Sequence, residues 1–496
     1  MTMKLNRTLF IVILALGLPF MVNAQDILTL EKALEIASEN SPVMRKAYLN
    51  LQRSSQNLIA QKASLKTQFN LNVNPATFSR SRKFDDRVSQ WYTNESFATS
   101  GTFRASQPIL FSDGTLSLSN TFGWQNSTST TTSGDNSNEI FQNNLNLSLN
   151  QPLFTYNRRK MALKEIELDY ENAGISYAMQ RLNLERSLTQ QFYAVYMAQM
   201  QLEISKEELK NAAQNYEIIK NKVDADLSAK EELYQAEVNY ASAQSAVQDR
   251  EVSLANAKDD FKQSIGIDLD MDFIAAAVIE QDSIPVSLNK AVENALTSRM
   301  ELRQREISIE SSMFSMIRTK ALNEFQGTLN ASMGLTGDNE NLDQMFQNQT
   351  QSPRVSLDFS IPLYDFGEKK ARIKAQEASM ESVEIDLEEE KKTIQINVRR
   401  VFRNIQNQIT QIKIAEQGVR NAQLTYDLNQ ERYRNGDITG MNMSQYQQQL
   451  SAKKISHIQA LINYRVELLN MKIQSLYDFE NNIAIIPTEL YPAVVD

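Results

Sequence analysis

One histidine, His457, and no cysteine leave this 496-residue chain without thiol chemistry and without a multi-histidine metal site. Disulfides, thiolate metal sites and cysteine nucleophiles are excluded outright. His457 stands among Lys453, Lys454 and Gln459 with no second histidine to share an ion, and reads as a surface residue. The acidic run Glu388-Glu389-Glu390 precedes Lys391 and Lys392. These i,i+3 and i,i+4 spacings make ion pairs on a solvated helix face rather than a carboxylate pair for acid–base work. No Gly-rich phosphate loop and no nucleophile-base arrangement occurs, so no residue is assigned to catalysis and no enzyme is expected. A dispersed net charge of −9 offers no basic patch for nucleic acid. No metal or cofactor is expected. One local motif remains, Tyr433-Arg434-Asn435-Gly436, in which the glycine is placed to take the left-handed conformation that closes a helix.

The elements that present this turn are long. The 14 glycines and 10 prolines fall below the average usage of about 7% and 5%. Proline is absent between Pro152 and Pro285 and between Pro362 and Pro487, and both stretches are rich in Ala, Leu, Glu, Gln and Lys, which makes each a helical region. Helices are expected at 157–224 and 367–433, each about 100 Å long, and at 31–66, 228–265, 289–324 and 441–478, each about 55 Å. Two short helices laid end to end match one long one, which predicts a cylinder about 100 Å tall.

The chain is also an internal duplication. Asn150 onward (NQPLFTYNRRKMALKEIELDYENA) aligns with Ser360 onward at a shift of 210, and Leu30 onward (LEKALEIASENSPVMRKA) with Leu288 onward at a shift of 258. The first copy therefore carries about 48 extra residues. The first repeat is taken as 25–286, with an insertion at about 68–113, and the second as 287–480; 481–496 form a tail expected in the periplasm. Leu188, Val195, Leu202, Leu209, Tyr216 and Val223 form a heptad seam, which Val398, Ile405, Ile412, Val419, Tyr426 and Tyr433 repeat in the second copy. Strict sevens predict coiled-coil packing with a left-handed supercoil. An ordinary buried helix stripe gives the same pattern in one copy, and recurrence in both argues against it.

Lys4 and Arg7 precede the apolar run LFIVILALGLPFMV, and Val22-Asn23-Ala24 offers a cleavage point. Residues 1–24 are therefore expected to be a signal peptide; a retained anchor is the alternative. No later stretch of about 18 apolar residues could form a membrane helix. Four segments alternate with period two instead: Leu116, Leu118, Phe122, Trp124; Phe141, Leu145, Leu147, Leu149; Phe325, Leu329, Met333, Leu335; and Val355, Leu357, Phe359, Ile361. This is the pattern of a membrane barrel around water, although a soluble sheet on a core alternates in the same way. The polar stretches 126–139 and 337–353 are expected as loops. Shorter strand-like pieces at Phe69–Val73 and Thr102–Gln107 lie in the insertion, unplaced.

The duplicated opening helix, QPLF at Gln151–Phe154, PLYDFG at Pro362–Gly367, and RYRNGDITGMNMSQYQQQL from Arg432 resemble the TolC-type outer-membrane efflux protein family, over nearly the whole chain from Leu28 to Asp478. The resemblance implies a mixed α and β membrane protein: a homotrimer whose chains each supply four strands to one transmembrane β-barrel, above a periplasmic α-barrel of coiled-coil helices. It implies an outer-membrane exit duct for a tripartite efflux pump or type I secretion system, with a periplasmic adaptor, an inner-membrane transporter and outer-membrane lipid as partners. Four strands cannot close alone, and an open sheet in lipid leaves unpaired edges. Two chains would give eight strands, an interior filled by side chains, so a duct favours three.

The resemblance also assigns residues. The turn Tyr433, Arg434, Asn435 and Gly436 becomes the adaptor-docking tip, with Ala225 and Asp226 as its counterpart; Ala225 stands where the glycine would be. Relatives narrow the tunnel with aspartates six and nine residues past the glycine. Here those places hold Asn442 and Gln445, and the same count from Ala225 reaches Glu231. Asn442 and Gln445 also fit as ordinary solvated helix residues. An exported coiled-coil scaffold that conducts nothing is the rival reading, but a tether needs no alternating strands.

Overall fold

The computed structural model describes residues 26–86, 89–131, 134–277, 284–347 and 349–487. The expected signal peptide, 1–24, lies outside them, as does the tail from 488 onward. By contacts the chain divides into two units, each assembled from three separate stretches. One comprises residues up to 42 with 184–283 and 407–466; the other comprises 43–183, 284–406 and 467 onward. Each unit draws on both sequence repeats.

In the first unit β1 (Asp26–Leu28) pairs in parallel with β6 (Phe273–Ala275). Beside them lie α1 (Leu30–Asn40) and α4 (Lys230–Ile265), the later part of the 67-residue α3 (Arg158–Asp224), the later part of the 68-residue α7 (Glu368–Asn435), and most of α8 (Gly440–Ser475). Thr29 caps α1 by accepting from the Lys32 backbone N–H at 3.3 Å. Ala33 and Ala37, one turn apart, are fully buried against a core that includes Leu188, Phe192, Phe261 and Phe273. The first heptad seam supplies this core: Leu188 and Val195 have no exposed surface and Leu202 has 7%, whereas Leu209, Tyr216 and Val223 are half-buried.

The second unit holds α2 (Pro42–Ser64), α5 (Leu288–Ser298), α6 (Met300–Lys320), the short pair β9 (Tyr477–Asp478) and β10 (Ile483–Ala484), and the earlier parts of α3 and α7. Leu168, Ile175, Ala178 and Leu182 of α3 pack on Met300, Ile307, Ile473 and Leu476. Two expected helices are each divided. The 31–66 helix breaks at Ser41, since the residue before a proline is pushed out of the helical region, and its ψ is 126°. The 289–324 helix breaks at the equivalent Arg299, also at ψ 126°, without a proline. There the guanidinium donates to the carbonyls of Ile473 at 3.3 Å and Gln474 at 3.4 Å and binds Glu301 through Nε at 2.8 Å. A contact across 174 residues of sequence thus holds the break.

The sheet corrects the strand count. It has six strands, not four, in the order β2 (Gln68–Asp85), β3 (Gln90–Pro108), β4 (Thr115–Thr131), β5 (Gly134–Leu153), β7 (Gln326–Asn339), β8 (Thr350–Ser360), every neighbour antiparallel. The unplaced insertion is the hairpin β2–β3. Its alternation is hidden because a bulge between Asn74 and Thr77, around Pro75, reverses the phase: Phe69, Leu71 and Val73 precede it, Phe78 and Phe84 follow it, and all lie on one face. The stretches 126–139 and 337–353 are also shorter as loops than expected. The ladder runs through Asn126↔Glu139 to Thr131↔Gly134, because backbone pairing continues where both faces are polar. A short 3-10 turn, Gln344–Phe346, separates β7 from β8.

The inserted hairpin is fastened at its base. Asp113, 5% exposed in its side chain and at φ +63°, accepts from Arg158 Nε at 3.0 Å and from the Arg159 backbone N–H at 3.2 Å. The Asn157 amide donates to the Leu110 carbonyl at 2.5 Å and the Gln151 amide to that of Ser112 at 2.6 Å. The β3–β4 turn is thereby locked onto the start of α3.

Candidate functional site: the helix-hairpin turns

Both turns belong to the first unit. At the end of α7, Gly436 lies at φ +85°, its N–H reaches the Tyr433 carbonyl at 3.1 Å, and the Asp437 N–H reaches that of Arg432 at 2.9 Å. At the end of α3 the same two bonds run from Asp226 to Val223 at 3.0 Å and from Leu227 to Lys222 at 2.7 Å. Both are Schellman closures. The left-handed residue of the first turn is Asp226, at φ +56°, and not Ala225. Aspartate tolerates that region because its short polar side chain bonds locally, whereas alanine gains nothing there. The counterpart of Gly436 is therefore Asp226, in agreement with the 210-residue shift.

This correction moves the constriction count in the first copy by one. Six and nine residues past Asp226 stand Glu232 and Gln235, and Glu231 leaves the set. Glu231, Glu232 and Gln235 are exposed on α4; Asn442 and Gln445 are exposed on one face of α8, with Met443 and Leu450 buried on the other. Glu232 accepts from the Ser228 hydroxyl.

Of the tip residues, Arg434 and Asn435 are exposed, Arg434 pairing with Glu431 at 3.3 Å, and Ala225 and Asp226 of the first turn are exposed as well. Tyr433 turns inward. Its hydroxyl bonds the Asn215 carboxamide, its ring faces Lys222 Nζ at 5.8 Å, and burial together with the Glu232 charge pushes its pKa upward. A Cβ on Gly440 would sit 3.4 Å from both Asn215 and Ile219. Asn215 and Lys222 thus tie the two turns together. Sequence reasoning missed them, since each is an unremarkable polar residue on its own helix.

In the second unit the sheet separates most apolar from most polar side chains onto opposite faces. Following the register, one row reads Phe69, Ala105, Leu118, Leu147, Met333, Pro353; the adjacent row on the other face reads Asn70, Arg104, Ser119, Asn146, Gly334, Ser352. Aromatic pairs mark both ends: Phe154–Phe325 and Phe325–Phe359 at 5.3 Å, then Phe84–Trp91 at 5.3 Å and Phe97–Trp124 at 5.9 Å. An apolar band between aromatic girdles, backed by a polar face, suits a wall between lipid and water. Sequence reasoning missed these girdles; Phe and Trp recurring near the strand ends are the signal that could have found them. Among the described residues no helix is long and apolar enough to cross a membrane.

No curated protein sequence matches the chain. Its fold is similar to that of the Campylobacter jejuni CmeC outer membrane channel, with a TM-score of 0.68 at 13% identity over 94% of this chain and 87% of that one. The Neisseria gonorrhoeae MtrE outer membrane channel in its open state gives 0.65 at 14% over 90% and 88%. The Vibrio cholerae outer membrane protein VceC gives 0.64 at 13% over 91% and 95%. The outer membrane efflux protein profile matches residues 114–266 and 290–471, more than half of the sequence and both copies of the duplication, and the chain therefore belongs to the outer membrane efflux protein family.

Proposed function

We propose that the chain is the outer-membrane exit duct of a tripartite efflux pump or type I secretion system. In this reading three copies share one transmembrane β-barrel and form a periplasmic helical tunnel, and the chain itself is passive. An inner-membrane transporter supplies energy and most of the selection, and a periplasmic adaptor docks at the turns around Gly436 and Asp226. The observation that carries the reading is the sheet: one face apolar, the other polar, and two open edges. Each backbone group left unpaired in lipid costs several kcal/mol, so the edges must meet other chains. With six strands, two chains already exceed the eight that side chains fill, so strand number no longer selects three, and the reading of three is supported by membership of the family. Mass measurement of the complex in detergent tests this, with a trimer expected and a stable monomer or dimer refuting it.

The gate follows from Asn442 and Gln445. Facing the axis of a threefold tunnel, they form two rings of amides, which bind divalent cations weakly; aspartates there would form coupled carboxylate rings with the oxygen ligands such ions prefer. The parent channel is expected to show weak cation block from the periplasmic side. Asn442→Asp with Gln445→Asp should strengthen it by about tenfold or more, near 1.4 kcal/mol. The added block is full at neutral pH and lost as pH falls through the carboxylate range near 4 to 5, where the rings protonate. Single-channel recording in planar bilayers measures both. Equal block in parent and double variant would remove these residues from the constriction and make Glu232 the next to test.

A further inference from the structure

The inserted hairpin continues the wall rather than decorating it. Phe69, Leu71 and Phe78 of β2 and Phe97, Phe103 and Ala105 of β3 lie on the apolar face defined by β4, β5, β7 and β8, while Asn70, Asn72, Thr102 and Arg104 extend the polar face. One polar row runs unbroken through all six strands as Asn72, Thr102, Thr121, Asn144, Thr336, Thr350. The edge of β4 that a four-strand sheet would offer to a neighbour is already occupied by β3 along its length, from Pro108↔Thr115 to Thr93↔Thr130. The open edges are β2 and β8. Because the strands alternate in direction and are even in number, β2 and β8 run oppositely, so β8 of a second copy laid on β2 prolongs the same antiparallel ladder. Pro75 and Pro353 each remove one donor from these edges, as prolines at sheet edges commonly do; the other backbone groups remain to be paired.

We propose that the β2 edge of one chain pairs with the β8 edge of a second copy, so that three chains close a barrel of eighteen strands rather than twelve. This rests on the three-chain reading above. With strands about 4.8 Å apart and tilted about 40°, each occupies roughly 6 Å of circumference, giving a backbone ring roughly 36 Å across against roughly 24 Å for twelve. The polar face carries mostly Ser, Thr, Asn and Gly, which leave that width open. The outer-membrane aperture then admits solutes about 20 Å wide, broader than the 10–12 Å of a single helix.

Because the chain has no cysteine, disulfide trapping is clean. Ser356→Cys on β8 is combined in turn with Asn70→Cys, Asn72→Cys and Asn74→Cys on β2, all on the polar face, and separately with Thr121→Cys on β4. A covalent trimer on a non-reducing gel is expected for at least one β2 combination and for none with β4. Cross-linking through Thr121→Cys, or a trimer by mass in which no β2 combination cross-links, overturns the eighteen-strand wall and leaves the duct reading standing. A copy number other than three by mass overturns the duct reading itself, whichever cysteines join. An axial image of the detergent complex, with a ring near 36 Å or near 24 Å, provides a readout independent of the substitutions.

Discussion

Gly436→Trp is expected to abolish export while the complex assembles normally. A Cβ built on Gly436 meets no atom within 4 Å, so an indole placed there projects away from its own chain into the space that the proposed adaptor would occupy. The internal cost is limited to the left-handed backbone, about 1–2 kcal/mol at a solvent-exposed helix end. Obstruction of a docked partner at a well-packed point removes about 2 kcal/mol or more of binding, roughly a 30-fold loss of affinity. Gly436→Ala separates the two contributions, because it imposes the backbone strain with almost no bulk and should retain most export. The measurements are yield of the assembled complex from outer membranes and export by the proposed pump or secretion system in cells lacking the parent gene. Normal export by the tryptophan variant would place adaptor docking elsewhere.

Gly266→Ala should be far more harmful to the fold than Gly436→Ala, although the two glycines have nearly the same φ, +77° and +85°. Gly266 closes α4, its N–H bonding the Lys262 carbonyl at 2.9 Å. A Cβ there would lie 2.4 Å from the backbone oxygen of Asn40 and 2.8 Å from its carbonyl carbon. Backbone cannot swing aside like a side chain, so the end of α1 must be pushed off α4. Left-handed strain of about 1–2 kcal/mol adds to an overpacking cost of about 1–3 kcal/mol, for a loss of roughly 2–5 kcal/mol. Thermal unfolding and the yield of folded protein read this directly. A melting temperature equal to that of Gly436→Ala would mean that the close approach to Asn40 carries no energetic weight.

Much of the architecture is written in short-range pattern. The helix expected at 157–224 spans Arg158–Asp224, and that expected at 441–478 spans Gly440–Ser475, because helical period and absent proline both act within a turn or two. The heptad residues Leu188, Val195, Val398 and Ile405 are fully buried, as their spacing requires. Both turns are legible for the same reason, but the first has no glycine to mark its left-handed residue, and only the backbone shows that Asp226 rather than Ala225 takes φ above zero.

What the sequence alone determined, then, is the helical repeat, four of the alternating strands, the absence of thiol chemistry and the family resemblance, which depend on composition, on residues near one another or on motifs kept in order. The tertiary structure decided the rest. Six strands emerge only once β2 pairs with β3, because the bulge at Asn74 and Thr77 reverses the alternation and only a partner strand shows that both phases share one face. The break at Arg299 depends on carbonyls at Ile473 and Gln474, and Tyr433 is fixed by Asn215 on another helix. Such contacts join groups more than 170 residues apart, and no local period encodes them: they exist only after the chain has folded and brought donors and acceptors within 3 Å or so.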